Sequence, residues 1–245
     1  MIAQPAPIPH APYLQRLAAF IHYCGLIIVA TLSPTTYDAP TRRALACLFC
    51  LGTWQTASGY LLGNLLVSAV LAQIVAVTAA SYGLSHLALE ALVRVFVVEL
   101  LPLVVALFVA LRVAPFTLQQ LGRHPQRPAL RTIVPYVAAN ALAVIVLAIL
   151  GGISAIAVAY LVVHGFNLWA LPDYSRLIGL VFDLPLTLAF AGKLLFFAFT
   201  VGIAPTSVVL DLNPAERNSR DIRVMARLLV MLLLIEAGFL IIQRL

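Results

Sequence analysis

Leu184-Pro-Leu-Thr-Leu-Ala-Phe-Ala-Gly-Lys193-Leu-Leu-Phe-Phe-Ala-Phe-Thr-Val-Gly-Ile203 is a run of twenty residues with a single charge, Lys193. As a helix rising 1.5 Å per residue it would be about 30 Å long, the thickness of a bilayer's hydrocarbon core. Lys193 is the only lysine in the chain; every other basic residue except histidine is an arginine. Placing a lone ammonium at bilayer depth costs roughly 2.5–3.5 kcal/mol, so such a residue usually faces a protein interior, where it has a partner or a task. The stretch thus predicts a membrane-spanning helix with one buried cation.

The rest of the sequence agrees. The 245 residues are 63% hydrophobic and 10% charged, against roughly 25% charged in soluble domains. No polar stretch is long enough to fold by itself, so residues 1–245 read as one all-α integral membrane domain. The net charge of +6 does not indicate nucleic acid, because the arginines follow the membrane topology. Cys47-Leu-Phe-Cys50 has CxxC spacing in an apolar segment and reads as small apolar residues, not a redox or metal motif. The five histidines form no HExxH or metal-ligand pair. Gly192-Lys193 lacks the upstream glycine of a phosphate-binding loop. No metal, cofactor or nucleotide site is therefore expected, and the chain is not expected to be an enzyme. Met1–Pro12 is proline-rich without a basic start, unlike a cleaved signal peptide.

Along the chain, 14–54 read as two interfacial helices, one near 17–32 and one near 44–54, with a polar joint at 33–43. Five spans follow at 56–80, 88–111, 134–163, 178–209 and 224–243. Residues 113–131 read as a polar, proline-rich connection, with Gly151-Gly152 a candidate bend in the third span. Residues 164–177 read as a short loop whose Trp169 and Tyr174 suit a membrane interface. Eleven of the fifteen basic residues fall on one side of this topology. They are Arg16, Arg42 and Arg43, then Arg112, Arg123, Arg127 and Arg131, then Arg217, Arg220, Arg223 and Arg227. By the positive-inside rule that side is cytoplasmic, with the N-terminus inside and the C-terminus outside.

Within the spans lie three carboxylates and the lysine: Glu99, Asp183, Glu236 and Lys193. Glu99 and Lys193 sit near the middles of spans two and four, at a depth where they could neutralise each other. Glu90 and Arg94 have the i,i+4 spacing of an ion pair. Gly59-Tyr-Leu-Leu-Gly63 is a GxxxG on span one, which permits close helix approach.

Val98-Glu99-Leu100-Leu101-Pro102, with Arg112 ten residues on, resembles the Glu-Leu-Gly-Pro helix of the MlaE (YrbE-type) permeases. Ser58-Gly59-x-x-x-Gly63 resembles that family's first span, and Lys193-Leu-Leu-Phe-Phe resembles its Lys-Ser-x-x-Phe segment. Glu236 falls where its last span carries an acidic residue. The likeness covers roughly 14–243. Val98 stands where the family has arginine, Leu101 where it has glycine, and the segment before Pro128-Ala-Leu-Arg-Thr-Ile-Val-Pro135 is shorter. The resemblance implies the permease subunit of an ABC-type lipid or phospholipid transporter in the bacterial inner membrane. Its partners would be an ABC ATPase, an MCE-domain protein, a second permease subunit (an identical copy or a paralogue) and membrane lipids. Glu99, Lys193 and Glu236 would lie on the lipid pathway or brace it, and Gly59 and Gly63 would pack helices. Arg112, Arg123, Arg127, Pro128 and Arg131 would couple to the ATPase. A non-transporting membrane scaffold and an ion-coupled secondary transporter are the other classes this sequence allows.

Overall fold

A computed structural model describes residues 13–83, 90, 92–122, 130–207 and 217–242. Among these residues the chain is almost entirely helical, with no strand. Helix α1 covers Tyr13–Leu32, and a short turn at Pro34–Thr36 leads to α2, Ala39–Ser81. Helix α3 opens with a π-helical segment at Val93–Leu100 and runs on as α-helix over Leu101–Gly122. Then follow α4 (Leu130–His164), α5 (Leu171–Val181), α6 (Leu184–Thr206) and α7 (Arg217–Ile242). Five helices are long and apolar enough to cross a membrane, and α1 supplies a shorter apolar stretch at Phe20–Leu32.

Several boundaries differ from the sequence reading, each for a local reason. Residues 44–54 are not a separate interfacial helix. Helix α2 runs unbroken for 43 residues, because Pro40 occupies a permissive first-turn position and no proline follows it before Ser81. At about 64 Å the helix far exceeds the hydrocarbon core. Helix α3 continues past Arg112 and through Pro115 to Gly122, so the first part of the supposed connection at 113–131 is helical. Gly151-Gly152, a candidate bend, lies within the unbroken helix α4. The loop at 164–177 contains a 3-10 turn, Leu168–Ala170, and most of α5. Asp183 does not lie within a span. It is the exposed N-cap of α6, accepting from the Leu184 N–H at 2.7 Å and satisfying an otherwise orphaned donor. Glu90 and Arg94 are both exposed, and among the described residues no ion pair joins them.

Spans α3 and α4 are the most enclosed of the five. The core joins Val93, Val97, Leu101 and Val105 to Val144, Leu147 and Ala155 of α4, Phe197 and Val201 of α6, and Leu228 and Leu232 of α7. Helix α2 packs mainly along α4 and touches α3 only slightly. Large apolar side chains such as Leu62, Leu66 and Ile74 on α2 and Leu229 and Leu233 on α7 are exposed. In a membrane span these are the side chains that face lipid. Helix α1 straps one end of the bundle. Its Ile27 is buried against Ile133, Val137 and Ile203, its Tyr23 hydroxyl donates to the Thr206 carbonyl at 2.9 Å, and Arg227 lies 5.7 Å from the Phe20 ring centre.

Candidate functional site: a buried charge network beside an interhelical groove

Lys193 is fully buried midway along α6. Its ammonium donates to Glu99 Oε2 at 2.7 Å, to Glu236 Oε1 at 2.7 Å and to the Glu99 main-chain carbonyl at 3.1 Å. Three acceptors thus meet the three donors of one ammonium. The expected Glu99–Lys193 pair is present, and Glu236 completes a triad that the sequence reading left as a separate carboxylate. The side chains of Lys193, Glu99 and Glu236 are 1%, 17% and 13% exposed. The network therefore ties α3, α6 and α7 together in a low-dielectric setting, where a satisfied network is rigid and a broken one is costly.

The helix carrying Glu99 departs from α geometry just before Pro102. Pro102 has no N–H, so the α-register bond to the Val98 carbonyl cannot form. The preceding turns are widened to π geometry, with the Leu101 N–H bonded to the Phe96 carbonyl five residues back. Such π segments occur mostly as short insertions at functional sites. Two carboxyl groups thus share one lysine amine. One oxygen, Glu236 Oε2, is buried with no hydrogen-bond partner.

Beside this network a groove of about 200 Å³ separates α2 from α3. Gly59, Tyr60, Gly63, Asn64 and Val67 line one wall, and Phe96, Leu101, Val104 and Phe108 line the other. The GxxxG pair does not pack helices within this chain. A Cβ added at Gly59 or Gly63 would meet no atom within 4 Å, because α2 turns a different face to α4. That face is the i,i+4 stripe Thr56, Tyr60, Asn64, Ser68 and Ala72, all buried. Asn64 donates to the Gly151 carbonyl at 3.0 Å and to Ser154 Oγ at 2.8 Å. The close approaches are instead at Gly151, against the Tyr60 hydroxyl, and at Gly202, where a Cβ would lie 2.8 Å from the Val137 carbonyl oxygen. The sequence reading missed this stripe, although its four-residue recurrence of small and polar residues was the available signal.

Cys47 and Cys50 are free and exposed on α2 rather than packed. Outside the spans, burial pushes the Tyr23 and Tyr174 phenols up to about 12. Both remain protonated donors at neutral pH, to the Thr206 and Ile156 carbonyls. Of the residues expected to couple to an ATPase, Arg112 is exposed on α3. Arg123, Arg127 and Pro128 lie outside the described residues, as does the side chain of Arg131 at the start of α4. Among the described residues no group of three or more His, Cys, Asp or Glu could hold a metal ion.

A comparison with curated proteins gave no match. The family described as Permease MlaE matches residues 51–241, which covers all five spans except the start of α2 and the last residue of α7. The chain belongs to the MlaE permease family.

Proposed function

We propose that this protein is the membrane subunit of an ABC-type transporter that moves phospholipid between the membrane and an MCE-domain protein. The observation that carries the reading is the apolar groove between α2 and α3, set in the membrane-spanning region of an MlaE permease. Its walls suit an acyl chain, because they offer hydrocarbon and almost no polar surface. The glycines at 59 and 63 leave the α2 wall open where they face the groove, as a passing or docking chain requires.

The two walls belong to bodies that are braced differently. Helix α3 is fixed to α6 and α7 by the Lys193 network, whereas α2 is fixed to α4 through Asn64. A motion of α2 against α3 would widen or close the groove, and a lipid between them would gain or lose its apolar surroundings. In this reading an ATPase pair drives the motion from the arginine-rich, cytoplasmic side, through Arg112 and the segment up to Arg131. Two permease subunits flank the path, and the MCE protein receives or delivers lipid on the outer side of the bacterial inner membrane. The chain itself makes and breaks no covalent bond.

Purification of the complex from its native membrane tests this. An ATPase, an MCE-domain protein and bound phospholipid identified by mass are the expected companions. Recovery of the chain without an ATPase would leave the scaffold reading in its place.

A further inference from the structure

The connection between α4 and α6 displays bare apolar side chains on a rigid frame. Phe166, Leu168 and Trp169 are 93%, 77% and 92% exposed. The turn that carries them is pinned at each step. Gly165, at φ +64°, ends α4 in the left-handed conformation that favours glycine, and its N–H bonds to the Leu161 carbonyl at 3.0 Å. The Tyr160 hydroxyl holds the Asn167 carbonyl, and the Asn167 side chain accepts from the Trp169 N–H at 3.2 Å. Tyr174, expected at the interface, is instead buried. Its hydroxyl ties α5 to the Ile156 carbonyl of α4 at 2.7 Å, and its ring meets that of Tyr160 edge-on at 5.0 Å. The hydroxyls of Tyr160 and Tyr174 bond to the main chain of this corner while its large apolar side chains project outward. That is the opposite of a loop in water.

We infer that Phe166-Asn167-Leu168-Trp169 is a membrane-inserted wedge, seated among the headgroups and upper acyl chains of the leaflet at that end of α4. Residues 132–172 contain no Asp, Glu, Lys or Arg, so the charge-free character of the span continues through the turn and into α5. The arginine-studded connection at 112–131 has no such character. A protein-docking surface carries a polar rim, and the tip carries no charge before Asp173 and Arg176 on α5. Helix α4, 35 residues long, extends about 52 Å, enough to cross the hydrocarbon and both headgroup layers of about 40–45 Å. Headgroup level, the depth inferred for the tip, is where tryptophan is enriched. Exposed leucines at 180, 184 and 188 carry the apolar surface on into α6.

The chain has two tryptophans, so a Trp54→Phe variant reports on Trp169 alone; Trp54 is exposed and its loss leaves the core intact. The variant is reconstituted into phosphatidylcholine vesicles. Its emission is then quenched by phosphatidylcholine brominated high on the acyl chain or by iodide in the buffer. The wedge predicts that brominated lipid removes most of the emission and iodide little. Strong iodide quenching without bromolipid quenching would place the tip in water and overturn the inference. Protection from both quenchers would place it under protein and overturn it equally.

Discussion

Replacing Lys193 by methionine keeps the length of the side chain and removes the charge that three helices share. In the intact protein the ammonium is met at 2.7, 2.7 and 3.1 Å by two carboxylate oxygens and a carbonyl. Without it, Glu99 and Glu236 face each other across a site where their side chains are 17% and 13% exposed. Removing one partner of a buried ion pair costs about 3–5 kcal/mol, because the residual charge stays desolvated. For a domain of this size each kcal/mol lowers the melting temperature by about 2–4 °C, so the expected drop is about 6–20 °C. Thermal unfolding in nanodiscs measures it. The triple variant Glu99→Leu, Lys193→Met, Glu236→Leu separates loss of a cation from loss of packing. Apolar replacement of the whole network is expected to recover most of the stability. A double-mutant cycle between Lys193→Met and Glu236→Gln should give a coupling of about 0.5–3 kcal/mol. A Lys193→Met protein that melts with the parent, or a cycle with no coupling, would refute the claim that this triad fastens α3, α6 and α7 together.

The groove and the glycines give sharper contrasts. Gly63→Leu should fill open space, leaving the melting temperature unchanged while lowering lipid transfer; equal loss of both would mean that the glycine packs a helix. Gly202→Ala should cost about 1–3 kcal/mol of stability, as overpacking does, because the carbonyl of Val137 cannot yield as a flexible side chain could; an unchanged melt would contradict that contact. Asn64→Leu should cost about 0.6–1.7 kcal/mol, the range for hydrogen bonds between membrane helices, and loosen α2 from α4. Cysteine cross-linking of those two helices would show the loosening as a broader set of reactive pairs.

The fold class and the number of spans follow from hydropathy alone, because a bilayer allows few other ways to satisfy a backbone. Helix boundaries were harder to read. Residues 44–54 read as a separate helix because the uncharged stretch 44–85 exceeds one membrane crossing, yet nothing in α2 breaks the helix. Asp183 looked like a buried carboxylate because the apolar pattern runs through it, whereas its side chain caps the next helix. The Glu99–Lys193 pair was legible from their shared depth. Glu236 was not attached to it, because depth along a span does not reveal which way a helix faces. The glycines of the GxxxG were visible, but whether they meet a neighbour depends on the rotation of α2, which its near-uniform hydrophobicity conceals. The polar stripe from Thr56 to Ser68 sets that rotation.

The central claim is tested most directly by phospholipid transfer from proteoliposomes holding the purified complex to its MCE-domain acceptor, with ATP or a proton gradient supplied separately. The account predicts transfer that requires ATP, is indifferent to the gradient and is lost in the Gly63→Leu variant. Transfer that follows the gradient without ATP, or none in the presence of ATP, would contradict it.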